Sequence, residues 1–146
     1  MQSEYSKEDI LRSAFMAKAE RAADFSDITV TDFSGENAPK AKKYSCSKSG
    51  EGYNWTLIVN DEADVTVREE VNYPKFEGLT LLAPHQGSSY TMEVRPGEKR
   101  LVMIRGDLAG YSLRMTYTSQ LFWGEKSLLQ QCLASGQQKV RGEGII

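Results

Sequence analysis

Tyr90-Thr-Met-Glu-Val94, Arg95-Pro-Gly-Glu98, Lys99-Arg-Leu-Val-Met-Ile-Arg105, Gly106-Asp-Leu-Ala-Gly110 and Tyr111-Ser-Leu-Arg-Met-Thr-Tyr-Thr118 run consecutively and read as hairpin, turn and strand. Tyr111, Leu113, Met115 and Tyr117 alternate with Ser112, Arg114, Thr116 and Thr118, the period of two that a half-buried strand shows. Pro96-Gly97 between two apolar runs is turn chemistry, because proline presets φ and glycine accepts positive φ. No catalytic constellation lies on this stretch, so the fold class has to be read before any function.

The chain is 146 residues long, with 40% hydrophobic and 26% charged residues and a formal net charge of −2. That length suits one domain with a core of ordinary size. The near-neutral balance supplies no global basic field, and a nucleic-acid partner is not expected. There is no apolar run long enough for a membrane span. The N-terminus Met1-Gln-Ser-Glu-Tyr5 is polar, so no secretory signal is expected, and with Gln2 at the second position N-myristoylation is not expected either. Asn54-Trp55-Thr56 fits a glycosylation sequon that is silent without a secretory route. Cys46 and Cys132 are too few and too far apart for a disulfide framework or a zinc knuckle, and reduced cytosolic thiols are the better reading.

Around the deciding stretch the other elements fall into place. Residues 1–24 predict an amphipathic N-terminal helix, capped by Ser6 with Asp9 three residues on and showing Leu11, Ala14, Phe15, Lys18 and Ala22 near one face. Ile28–Phe33 predicts a strand. Ser34–Tyr53 reads as a long exposed loop with a short strand at Tyr44–Cys46. Trp55–Asn60 predicts a central strand, Asn60-Asp-Glu-Ala63 a turn, and Asp64–Glu70 its antiparallel neighbour, with Val65, Val67 and Glu69 on one side. Leu79–Ala83 is a further apolar run ahead of the turn Pro84-His-Gln-Gly87. Glu125–Ala134 predicts a short closing helix and residues 136–146 a flexible tail. The whole is mainly β. An antiparallel β-sandwich of seven or eight strands over residues 25–135 is expected, with one helix at each end.

Trp55-Thr-Leu-Ile-Val-Asn60-Asp61, Val94-Arg-Pro96-Gly97-Glu98 with its apolar follower Leu101-Val-Met-Ile104, and Gly110-Tyr111-Ser-Leu113 resemble the β-sandwich modules of calpain-related proteins. These modules include the domain that follows the protease core and the small non-catalytic calpain-like proteins of protists. The resemblance covers under half the chain. It implies a cytosolic, non-enzymatic domain that binds proteins or membrane surfaces, often at cytoskeleton or flagellum. The chain departs from the pattern in lacking both the acylation signal of some small members and a papain-like catalytic domain.

The candidate sites are few. A nucleophilic Cys–His pair would need a partnered histidine, and the one histidine, His85, sits in a turn while Cys46 lies in a Ser-Cys-Ser loop. No cofactor is implied, and the histidine shortage argues against zinc or iron. Asp61, Glu62 and Asp64 form an acidic loop at a strand junction that could collect oxygen ligands for calcium, though Asn-Asp-Glu-Ala is first of all a hairpin turn. The lysines at 40, 42 and 43 form a basic patch that could touch an anionic membrane surface weakly, against the plainer reading of a solvated loop. Phe122 and Trp123 either anchor the closing helix or present an aromatic hot spot. Leu11, Phe15, Phe122 and Trp123 are therefore the candidates for a protein partner. The expectation is a non-enzymatic interaction or scaffolding module, with a calcium- or small-ligand-binding sandwich as the alternative.

Overall fold

The computed structural model describes residues 6–47, 52–107, 114–125 and 136–145. Helix α1 spans Lys7–Glu20, and nine strands follow among the described residues: β1 Ile28–Asp32, β2 Ala41–Cys46, β3 Tyr53–Asn60, β4 Val65–Asn72, β5 Leu79–Leu81, β6 Ser89–Val94, β7 Lys99–Gly106, β8 Arg114–Glu125 and β9 Gly136–Ile145. They pair antiparallel into a five-stranded sheet, β1-β2-β3-β7-β5, and a four-stranded sheet, β6-β4-β8-β9. The expected antiparallel sandwich with an N-terminal helix is what the chain forms.

Two apolar clusters explain the three layers. Ile58, Val67, Val94, Val102, Ile104 and Leu121 are among the residues that fill the space between the sheets. Phe15, Trp55, Leu57, Leu101 and Met103 belong to a second cluster on the outer face of the five-stranded sheet, where α1 docks. Strand β3 is buried at nearly every position because it faces both clusters, which is why Trp55–Asn60 reads as a central strand.

Ser6 Oγ accepts from the Asp9 amide and the Asp9 carboxylate accepts from the Ser6 amide, the reciprocal cap that the spacing predicts. The helix is then pinned at several points. Glu8 Oε2 accepts from Tyr53 Oη at 3.1 Å, Arg12 Nη1 donates to the Leu101 carbonyl at 2.9 Å, and Lys18 lies 3.3 Å from Asp27. At Arg95-Pro96-Gly97-Glu98 the Glu98 amide bonds the Arg95 carbonyl at 3.0 Å and Gly97 takes φ of 77°, a type II turn.

Three expectations need correction. The region read as a loop from Ser34 holds a full strand at Ala41–Cys46, paired to both β1 and β3. Strand β8 does not stop at Thr118 but keeps its alternation to Glu125, with Met115, Tyr117, Ser119, Leu121 and Trp123 all buried on one side. The segment expected as a loose tail is strand β9, in register with β8 from Arg114↔Ile145 to Trp123↔Gly136. Its glycines and charges disguise it, but the backbone groups along β8 require partners whatever side chains the neighbour carries. The expected closing helix over Glu125–Ala134 falls outside the described residues, except for Glu125, which ends β8. Among the described residues no helix is long and apolar enough to cross a membrane.

Candidate functional site

The four candidate partner residues do not share a surface. Phe15 is 5% exposed and stacks on Trp55, with centroids 5.6 Å apart and planes 18° from parallel. Leu11 is half-buried against the same cluster. Trp123 is 1% exposed and packs on Phe33 at 5.8 Å. Its neighbour Phe122 points to the opposite face of the sheet, where the Arg68 guanidinium lies 5.0 Å from the ring centroid. Adjacent residues in a strand face opposite ways, so no pair formed of 122 and 123 can act together. Phe15 and Trp123 are core residues, each already engaged by an aromatic neighbour worth about 0.5–1.5 kcal/mol beyond its buried area.

The basic patch divides in the same way. Lys40 and Lys42 are exposed, Lys42 lying 3.9 Å from Asp32. Lys43 is 1% exposed and turns into the sandwich, where its Nζ meets Glu69 Oε2 at 2.5 Å. Glu69, from β4 in the other sheet, is fully buried. Its Oε1 accepts from Tyr90 Oη at 2.7 Å and its Oε2 also accepts from Ser119 Oγ at 2.9 Å. The ammonium sits 4.7 Å from the centroid of Tyr117, whose hydroxyl reaches Ser45 at 3.3 Å. The two charges are thus paired, with the carboxylate also accepting from two hydroxyls and the ammonium lying over an aromatic ring, the condition under which ions can be buried at all. Burial raises the Tyr90 and Tyr73 phenols well above the usual tyrosine value, and the neighbouring Glu69 charge raises them further. The signal for this cluster was present in the alternation Ala41, Lys43, Ser45 and in Glu69 sharing a face with Val67, but a lysine in a lysine-rich run reads as solvated.

The acidic loop is a structural turn. Asn60 is fully buried and donates through Nδ2 to the carbonyls of Val65, at 2.8 Å, and Val94, at 3.0 Å, while its Oδ1 accepts from the Glu62 amide. Glu62 Oε2 accepts from the Lys40 amide at 2.6 Å. Asp61, Glu62 and Asp64 therefore do not converge, and no group of three acidic, histidine or cysteine side chains among the described residues could hold a metal ion. Asn54 is buried and donates to the Cys46 carbonyl at 2.8 Å, so the sequon nitrogen is committed inside the protein. Cys46 on β2 and His85, beyond β5, have strands β3 and β7 between them.

An exposed sheet edge able to accept a partner strand is expected of such a sandwich, and the structure has an open edge at β7. Strand β5 pairs only with Ile104–Gly106 of β7, and the Leu82 amide extends the row by one bond to the Met103 carbonyl at 3.0 Å. Beyond it, the side of Lys99–Val102 that faces away from β3 has no strand alongside among the described residues. Backbone direction alternates along β7, and Met103 faces away from β3, so Lys99 and Leu101 do as well. This edge forms the floor of a groove of about 360 Å³. Arg12 and Met16 of α1 line one side, Pro84, His85 and Met92 the other. His85 packs against Tyr90 with ring centroids 4.9 Å apart and planes tilted by 40°, and its pKa is lowered by burial first, then by Arg100 and Arg12. A second, wider concavity of about 680 Å³ lies across β4, β6 and β8 and is bordered by Glu70, Asn72, Thr91 and Gln120.

No protein-family model matches the chain, and none of the curated proteins matches it by sequence. Among solved structures it is similar to the GAE domain of yeast GGA1, at 10% identity over 82% of this chain and 97% of that one, with a TM-score of 0.37. It is similar also to the ASH/PapD-like domain 7 of human CEP192, at 8% identity over 82% of each chain and the same TM-score of 0.37. Likenesses this low carry no argument about function, and the reading of the site rests on its own geometry.

Proposed function

We propose that this chain is a non-enzymatic protein-interaction module that takes an extended segment of a protein partner beside β7. The open backbone at Lys99–Leu101, set in a groove between α1 and β6, carries the proposal. An unpaired edge is a template for strand addition, with main-chain bonds giving affinity and flanking side chains giving selectivity. The calpain-related type and a cytosolic setting at cytoskeleton or flagellum belong to this proposal and rest on the motifs at Trp55–Asp61, Val94–Glu98 and Gly110–Leu113.

Selection of displayed random decapeptides on the wild-type protein and on Lys99→Pro tests the reading. Proline at this position removes an outward N–H and leaves the β3 pairing of Arg100 and Val102 in place. Selected peptides should lose binding to the variant and slow amide exchange at Lys99 and Leu101 of the wild type. Peptides that bind both proteins equally, or that protect a different strand, overturn it.

A further inference from the structure

The occupant of the groove can be specified from the one hydrogen bond that now covers the edge. Arg12 Nη1 donates to the Leu101 carbonyl at 2.9 Å, the same acceptor that an incoming strand's N–H would use. Arg12 forms no ion pair among the described residues, so its charge at the edge faces a neutral carbonyl and no carboxylate. A strand that takes over the carbonyl displaces the guanidinium, and a half-buried guanidinium left without an acceptor is unfavourable. A carboxylate on the incoming strand removes that difficulty and forms a charge-assisted bond.

The rest of the groove has the same sign. Lys99 and Arg100 stand at its floor, and their acidic neighbours hold them loosely. Lys99 lies 3.4 Å from Glu20 and Arg100 3.9 Å from Glu98, with all four side chains more than a third exposed. Glu98 is the single acidic residue lining the groove among the described residues, and its Oε1 already accepts from the Arg95 amide at 2.8 Å. Burial lowers the pKa of His85 first, Arg100 and Arg12 lower it further and Glu69 raises it, in keeping with two guanidinium groups near the ring. Each wall also offers a methionine, Met16 on the helix side and Met92 on the β6 side, for the apolar side chains of an extended segment.

We infer that the β7 edge takes an acidic extended peptide, with a carboxylate that draws Arg12 off the Leu101 carbonyl and a second facing Arg100. This rests on the strand-accepting reading above. The test uses a fluorescein-labelled decapeptide of glutamate, valine and serine, its analogue with every glutamate replaced by lysine, and the acidic peptide N-methylated at alternate residues. Anisotropy titrations are run against the full chain, Arg12→Ala, Arg12→Lys and Arg100→Ala, each first shown to melt like wild type. The acidic peptide should bind, the lysine analogue should bind at least about tenfold more weakly, and each alanine variant should lose about two- to fivefold, as for partly exposed charge pairs. Arg12→Lys should recover part of that loss. Equal binding of the acidic and lysine peptides overturns the acidic preference, and strand addition survives if N-methylation still abolishes binding. Equal binding of the N-methylated peptide overturns strand addition itself. Absence of binding by the acidic peptide overturns the inference, and the displayed-peptide selection then decides the broader reading separately.

Discussion

Replacing Lys43 by methionine should destabilise this protein more than almost any other single change that conserves volume. Methionine keeps an unbranched side chain of similar volume but removes the ammonium that lies over Tyr117, and leaves Glu69 in the core with only the hydroxyls of Tyr90 and Ser119. Removing one partner of a buried ion pair costs about 3–5 kcal/mol, and a sulfur–aromatic contact returns at most about 1.5 kcal/mol. The expected net loss is about 3 kcal/mol, out of a total that for a domain is about 5–15 kcal/mol. At roughly 2–4 °C per kcal/mol for a chain of this size, the midpoint should fall by about 6–12 °C. Urea unfolding of wild type, Lys43→Met, Glu69→Gln and the double variant supplies the assay, with unchanged m-values as the condition for comparison. The double variant buries no charge, so its loss should be smaller than the sum of the single losses by about 2 kcal/mol or more. If Lys43→Met lies within about 1 kcal/mol of wild type, or the two single losses simply add, the two sheets are not joined by this pair and the description of the core is wrong.

Two further outcomes follow from other features. Tyr73 and Tyr90 have pKa values raised by burial and by Glu69, so the fold favours their protonated forms. That stabilisation is complete below the unfolded tyrosine value near 10 and is lost as pH rises beyond it. An ultraviolet titration followed together with near-ultraviolet circular dichroism should show two of the seven tyrosines ionising only as tertiary structure disappears, and ionisation of all seven in the intact fold would contradict this. Gly97→Ala should cost about 1–2 kcal/mol from backbone conformation alone, because φ is 77° and an added Cβ meets nothing within 4 Å. A urea midpoint equal to wild type would mean that the Arg95–Glu98 turn is not type II.

What could be read in advance was what depends on local period and local chemistry. The alternation in β8, the Pro96-Gly97 turn and the Ser6–Asp9 cap each involve residues a few positions apart, and all three have the form their spacing requires. The Leu121-Phe-Trp-Gly124 stretch was misjudged because a run of large apolar residues hides the period of two. Only the opposite environments of Phe122, under Arg68, and Trp123, against Phe33, reveal it. Lys43 and Glu69 were beyond local reading in a different sense. Glu69 shares a face with Val67, and a carboxylate on an apolar face calls for a buried cation, yet nothing within a few residues supplies one. The partner is 26 residues away on the other sheet, among lysines of which Lys40 and Lys42 remain in solvent. The candidate site is harder still, since it consists of a missing neighbour. Three residues of β5 against eight of β7 leave the edge open, and Arg12, 89 residues from Leu101, covers it. A single arginine side chain blunts an edge less permanently than a strand would, because rotating its side chain exposes the carbonyl without unfolding any element. This makes Arg12, rather than the aromatic residues first singled out, the side chain on which partner binding should depend.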